Sequence, residues 1–229
     1  MDYYLIIMTK STYEYVQINE NFRGMTLSDW LGEWLQWLHG ATVEYTAQPG
    51  EILHTRGGLS YQYQSGIIGG PRVQLDPKHT ETVNITAGVP VYINISTSFY
   101  FIGENHPRGN LATLTEVMAA CIDDFHRTTV NKQTIQKDNG APEKLVSNLV
   151  QANNISLKVH PNSLLAESFE MPVEKGADLR GCAITFMSLI KELPDGVYKV
   201  NTSNTGVRGY KSESEYTINV GATPPTIFF

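Results

Sequence analysis

The sequence predicts a mainly-β chain, a jelly-roll-like antiparallel β-sandwich with two short α-helices. Three observations predict it. β-branched and aromatic residues alternate with polar ones in several short runs, the period of a strand with one buried face. Turn signals such as Asp76-Pro77, Ala87-Gly88 and Leu193-Pro194-Asp195-Gly196 separate those runs. Charged residues are only 17% of the chain, against roughly 25% in ordinary globular domains, while Tyr (12) and Gly (19) are plentiful, which suits strands and turns better than exposed helices. At 229 residues the chain can bury a core that needs neither metal nor disulfide.

Residues 1–25 read as an extended arm. Tyr3, Leu5 and Ile7, then Tyr13 and Tyr15, give partial alternation, and a polar loop follows from Gln17 to Gly24. The first helix begins at Thr26, an N-cap with Asp29 three residues on. Leu27, Trp30, Leu31, Trp34, Leu35 and Leu38 then fall on one helical face, and Gly40 ends it. Trp30 and Trp34 are expected as core at the end of the sandwich. Trp37 lies off the stripe and is the tryptophan placed to meet a partner.

Residues 41–100 read as strands: Val43 to Tyr45, then Leu59, Tyr61 and Tyr63, a glycine corner at Ser65 to Gly70, Val73 and Leu75, and Val83 and Ile85. The strongest strand runs from Val89 to Phe101, with Val91, Ile93 and Ile95 on one face. The second helix spans Leu114 to His126. Thr113 and Glu116 form its capping box, and Leu114, Val117, Met118, Cys121, Ile122 and Phe125 recur at helical spacing, which places Cys121 in the core.

Beyond it the pattern weakens. Lys132 to Pro142 reads as a loop and Leu145 to Val150 as a short helical turn. Strands resume at Ile155 to Val159, Ser168 to Met171, Cys182 to Ile190, Val197 to Asn201 and Glu215 to Val220, with a Gly-rich hairpin region at Thr205 to Gly209. The expected organisation is an arm (1–25), one sandwich domain (26–220) and a tail (221–229). The apolar end of that tail, Ile227, Phe228 and Phe229, calls for a surface to pack on, in its own domain or on a neighbouring chain.

Net charge is −6, and the Lys and Arg residues are scattered rather than clustered. A nucleic-acid partner needs a basic face, so none is expected, nor is an anionic membrane surface. Met1 to Lys10 has an acid at Asp2, no basic n-region and no cleavage site, which is not a secretory leader, and no apolar run reaches membrane-spanning length. The expected location is a virion if the chain is viral, and otherwise the cytoplasm.

No catalytic, cofactor or metal residues are assigned. Asp123, Asp124 and His126 share a helix surface, but two or three such side chains are explained by solvation. His54, His79, His106 and His160 fall in loop-like stretches without metal-ligand spacing. There is no G-x-S-x-G and no P-loop. Glu104, Glu116 and Asp123 are the carboxylates to inspect for glycoside hydrolysis. Cys121 and Cys182 read as buried thiols. The sequons at Asn84, Asn94, Asn154 and Asn201 read as strand Thr/Ser chemistry.

The order Trp30-x3-Trp34-x2-Trp37, Ile68-Gly69-Gly70, Arg72-Val73, Val83 to Ile95, Thr113-x2-Glu116, Leu193 to Tyr198 and Tyr216 to Val220 resembles a group of largely uncharacterised bacterial and viral β-sandwich proteins. Those carry a W-x2-W-W helix, a Gly-Gly segment and a V-P-A-G-K-A-I-F-F-P strand. The resemblance spans roughly residues 26–220. It departs at Val89-Pro90, where the group has Lys, and at Tyr63-Gln64-Ser65, where it has Trp-Phe-Leu. It implies a jelly-roll-like sandwich and brings no catalytic residue.

The functional expectation is a structural component of a larger assembly, a viral or phage particle above all, whose arms contact other protein subunits. The candidate partner contacts are Trp37, Tyr61, Tyr63, Ile227, Phe228 and Phe229. The alternative is a carbohydrate-binding or surface-recognition module with a glycan partner, and a hydrolase ranks third.

Overall fold

A computed structural model describes residues 11–40, 53–54, 78–85, 87–106, 109–158, 178–206 and 211–221, apart from the side chains of 37–40, 53–54, 78, 79, 81, 105, 106 and 178. The strands and corner expected within 41–52, 55–77 and 168–171, and the tail beyond 221, lie outside these residues, as do the side chain of Trp37 and all of Tyr61, Tyr63, His160 and Ile227 to Phe229.

In chain order the elements are α1 (Leu27–Gly40), β1 (Leu53–His54), β2 (Lys78–Ile85), β3 (Val91–Phe101), β4 (Asn105–His106), β5 (Gly109–Asn110), α2 (Leu114–His126), β6 (Thr129–Lys137), β7 (Glu143–Lys144), β8 (Asn148–Lys158), β9 (Asp178–Ile190), β10 (Gly196–Thr205) and β11 (Lys211–Val220). One sheet has the order β1-β3-β9-β8 and the other β2-β11-β10-β6-β7; β4 and β5 form a separate hairpin. The expected mainly-β sandwich with two short helices is therefore present.

Its connectivity is more specific than the jelly-roll-like expectation. With β3, β8 and β9 as strands B, D and E, and β6, β10 and β11 as C, F and G, the order is that of an immunoglobulin-type Greek-key sandwich. Two pairings are parallel, β1 with β3 and β2 with β11. The passage from β9 to β10 carries a tyrosine corner: the Tyr198 hydroxyl donates to the Pro194 carbonyl at 2.7 Å, within the Leu193-Pro194-Asp195-Gly196 turn.

The alternation of β9 explains the layers. Ala183, Met187 and Leu189 face α1, together with Tyr92, Val150, Ala152, Leu157 and Leu179. Cys182 and Ile184 face α2, and Ile190 faces the second sheet. The four-stranded sheet is thus covered by α1 on one side, and on the other by α2 and the second sheet in succession. Val91, Ile93 and Ile95 meet Val200, Tyr216 and Ile218 between the sheets. The outer face of the second sheet is polar: Lys199, Asn201 and Ser203 on β10 lie beside Thr217, Glu215 and Glu213 on β11.

Both helices form for local reasons. The Asp29 carboxylate accepts from the Thr26 N–H (2.8 Å) and hydroxyl (2.7 Å), while Asp29 N–H donates back to Thr26 Oγ1 (3.3 Å), a capping box with Asp in place of Glu. Thr113 and Glu116 form the same device on α2. Trp30 and Trp34 are buried core residues, as expected, and Trp34 stacks on Tyr92 at 5.8 Å between ring centroids. They cover the face of the four-stranded sheet rather than its end, because α1 runs along β8: the Ser28 hydroxyl donates to the Gln151 carbonyl, and Gln36 bonds to Lys158.

Further sequence expectations are corrected. His54, His79 and His106, read as loop residues, belong to β1, β2 and β4. Residues 132–137, read as loop, belong to strand β6. Residues 145–150, read as a helical turn, contain the start of β8. In β6, Ile135 is the one fully buried residue, and its outward neighbours Lys132, Thr134 and Gln136 are polar, so apolar alternation never becomes visible. The helix-like spacing of Leu145, Leu149 and Val150 comes from two strand segments joined across the sandwich.

Candidate functional site

One end of the sandwich is closed by the β2–β3, β6–β7 and β9–β10 connections. There β8 and β10 begin and β9 and β11 end. The described N-terminal segment reaches the same end. Tyr15 bridges to Ile190, Val16 N–H donates to the Leu189 carbonyl at 2.9 Å, and Lys191 N–H donates to the Glu14 carbonyl at 2.9 Å. Residues 14–16 therefore extend the line of β8 beside β9, and the join is made by Asn148, whose amide donates to the Val16 carbonyl at 3.0 Å. Tyr13, Tyr15 and Val16 are buried in this contact. Thr12 donates from N–H and hydroxyl to the Glu143 carboxylate.

Lys191 holds the segment electrostatically, with Nζ at 2.6 Å from Glu14 and 2.7 Å from Glu20. Its hydrogen bonds to Glu14 and Glu20 push the Lys191 ammonium above the ordinary lysine value, and the bond to Lys191 pulls the Glu20 carboxyl below its ordinary value. Burial, aided by Glu143, raises the Tyr13 hydroxyl to about 12. Gly221 follows β11 at positive φ (83°), beside the Asp195 carboxylate.

The described residues include four exposed large apolar side chains: Ile18 (50%), Val146 (38%), Leu149 (45%) and Val197 (41%). Ile18, Val146 and Leu149 lie where residues 14–16 join β8 and β9, whereas Val197 is on the outer face of β10. Ile18 is two residues from Val16, and Leu149 adjoins Asn148. The Val146 carbonyl accepts from the Ser188 hydroxyl at 2.8 Å, and Val197 N–H donates to the Asp138 carboxylate at 2.9 Å. Scattered exposed apolar residues are ordinary, and three of them close together are a candidate contact surface.

Sequence reasoning missed these residues, although a signal exists. Leu145-Val146, Leu149-Val150 and Val197-Tyr198 are apolar doublets. In extended chain, neighbours point to opposite sides, so one of each pair turns outward. Leu145, Val150 and Tyr198 are the buried members.

The residues singled out for chemistry are dispersed. Glu116 is used in the α2 cap. Asp123 pairs with Arg127 at 3.0 Å. Asp124 accepts a short hydrogen bond from the half-buried Tyr100 hydroxyl, and Glu104 is buried nearby at the foot of the β4–β5 hairpin. Burial first, and the bond to Asp124 second, push the Tyr100 hydroxyl far up. His126 is exposed. No three His, Cys, Asp or Glu side chains among the described residues are placed to hold a metal ion.

Both cysteines are buried free thiols. Cys121 Sγ donates to the Cys182 carbonyl at 3.2 Å, and Cys182 Sγ to the Asn153 carbonyl at 3.2 Å. Burial raises both thiols, Cys121 furthest. Of the sequons, Asn94 is buried with its amide donating to Thr97, whereas Asn154 is exposed. No helix among the described residues is long and apolar enough to cross a membrane.

No family model matches the chain, and no curated protein matches it. A solved structure described as PbICP-C in complex with falcipain-2 aligns over 67% of this chain and 95% of its own, at 12% identity and a TM-score of 0.25, a likeness too loose to carry an argument.

Proposed function

We propose that the chain is a structural module of a larger protein assembly, with a virus particle as the setting favoured by the sequence. One observation carries this reading. Three exposed apolar side chains, Ile18, Val146 and Leu149, lie where the segment around Tyr15 and Val16 joins the edge formed by β8 and β9. Segments 1–10 and 222–229 hold Tyr3, Leu5 and Ile7 and then Ile227, Phe228 and Phe229. Exposed apolar side chains close together are suited to binding other subunits, whereas the outer face of β10 and β11 is polar apart from Val197.

Light scattering tests it on the full chain and on a variant lacking 1–10 and 222–229. The expected result is a defined oligomer for the full chain and a folded monomer for the trimmed one. Monomers of both at every concentration would overturn the reading.

A further inference from the structure

The turn after β6 carries the sequence's one Asn-Gly pair, Asn139-Gly140. The turn is anchored on both sides of Asn139. Asp138 N–H donates to the Val197 carbonyl at 2.7 Å, and the Asp138 carboxylate accepts from Val197 N–H at 2.9 Å. Gly140 N–H donates to the Lys137 carbonyl at 2.9 Å, which closes the turn. Asn139 stands at its tip. It is exposed, and its side-chain amide has no hydrogen-bond partner among the described residues.

This arrangement invites the main chain to attack the side chain. The Cγ of an asparagine lies within reach of the next residue's nitrogen, and a glycine there has no Cβ to shield that nitrogen. Gly140 is itself exposed. Other asparagines are held away from such attack. Asn94, Asn148, Asn204 and Asn219 tie their amides to Thr97, Val16, Ile95 and Asn84, and each is followed by a residue with a side chain. Asp195-Gly196 offers the same ring closure from an acid, but Gly196 is paired with Val220 at the start of β10.

We infer that Asn139 is the chain's site of spontaneous deamidation. The Gly140 nitrogen loses its proton and bonds to Asn139 Cγ. The Cγ–Nδ2 bond breaks, and ammonia leaves with that proton, so that a succinimide ring forms. Water then adds at one of the two ring carbonyls and opens the ring, leaving aspartate or isoaspartate. Either product sets a second carboxylate beside Asp138. Isoaspartate also adds a carbon to the main chain within the turn, just before β7, where the Glu143 carboxylate holds Thr12.

The test keeps the folded full chain at mildly alkaline pH, then digests it with trypsin. Residues 138–144 form one peptide with a single side-chain amide, that of Asn139. This peptide is expected to gain the mass of an amide-to-acid exchange and to split into two chromatographic species. One of them should accept a methyl group from an isoaspartyl methyltransferase. Asn139→Gln, shown to be folded by circular dichroism, is expected to lose that methylation.

If Asn139 stays intact in the folded chain over a time in which the urea-unfolded chain converts, the turn protects the site and the inference is overturned. Conversion to aspartate alone would mean direct hydrolysis by water and would overturn the main-chain attack. Isoaspartate arising first in another peptide would overturn the choice of Asn139.

Discussion

Gln36 on α1 satisfies both main-chain polar groups of Lys158 on β8: Lys158 N–H donates to Gln36 Oε1 at 2.9 Å, and Gln36 Nε2 donates to the Lys158 carbonyl at 3.0 Å. The side-chain amide thereby takes the place of a neighbouring strand. With Ser28 on the Gln151 carbonyl, it guards two points of an edge that would otherwise offer unpaired groups to another sheet. Gln36→Leu is expected to cost about 1–2 kcal/mol, read from urea unfolding, and to speed the growth of light scattering on storage.

Tyr198→Phe keeps the ring against Tyr13, 6.0 Å away, and removes only the hydroxyl that reaches Pro194. The expected loss is about 1–2 kcal/mol, leaving the Pro194 carbonyl without its donor. Thermal unfolding reads it as a fall of several degrees in Tm, with the far-ultraviolet spectrum unchanged.

Gly181 on β9 pairs with Phe101 on β3. A methyl group there would overlap the Tyr100 carbonyl oxygen and the Phe101 ring, and backbone cannot step aside as a flexible side chain can. Gly181→Ala is expected to destabilise by roughly 2–4 kcal/mol, at the high end of point substitutions, and to appear in expression trials as loss of soluble protein.

The N-terminal segment should respond to pH through Lys191. Glu20 has a depressed folded value, so its contribution is complete above the ordinary glutamate range and fades as pH falls through that depressed value. Lys191 has a raised folded value, so its contribution is complete below the ordinary lysine value and is lost as pH rises through the raised one. Hydrogen exchange at Val16 and Lys191, whose N–H groups donate across this contact, is therefore expected to be slowest, relative to the intrinsic rate, between those limits. The added protection should be absent in Lys191→Met and weaker in high salt, since these pairs are exposed.

The thiols should be inert in the folded chain. Cys121 is buried, with its thiol held well above the ordinary range by that burial. A thiol-reactive dye at pH 8 is expected to label neither cysteine until denaturant is added, and then both. Rapid labelling of the native chain would show that α2 lifts away from β9.

The fold was legible where one face is apolar and the other polar. The stripe of α1, the Thr113-Glu116 cap and the run from Val91 to Ile95 could all be read directly, because burial imposes a period on them. Strand β6 could not, since only Ile135 is fully buried and polar residues surround it. The pairing order was not legible either: nothing local tells Ile85 that it will lie beside Val220. At the candidate surface, the apolar doublets state that a side chain must turn outward, but not that Ile18, Val146 and Leu149 do so close together. That depends on how strands distant in sequence are assembled.

The parallel pairing of β2 with β11 has a consequence for how the molecule is made. β2 leaves the ribosome well before its neighbour in the sheet, Lys211–Val220. Until then the side of Val83 and Ile85 that β11 will occupy is unpaired. Such distant pairing makes closure slow and leaves an unpaired strand on the nascent chain, where it depends on prompt completion or on a chaperone to avoid sticking to other chains.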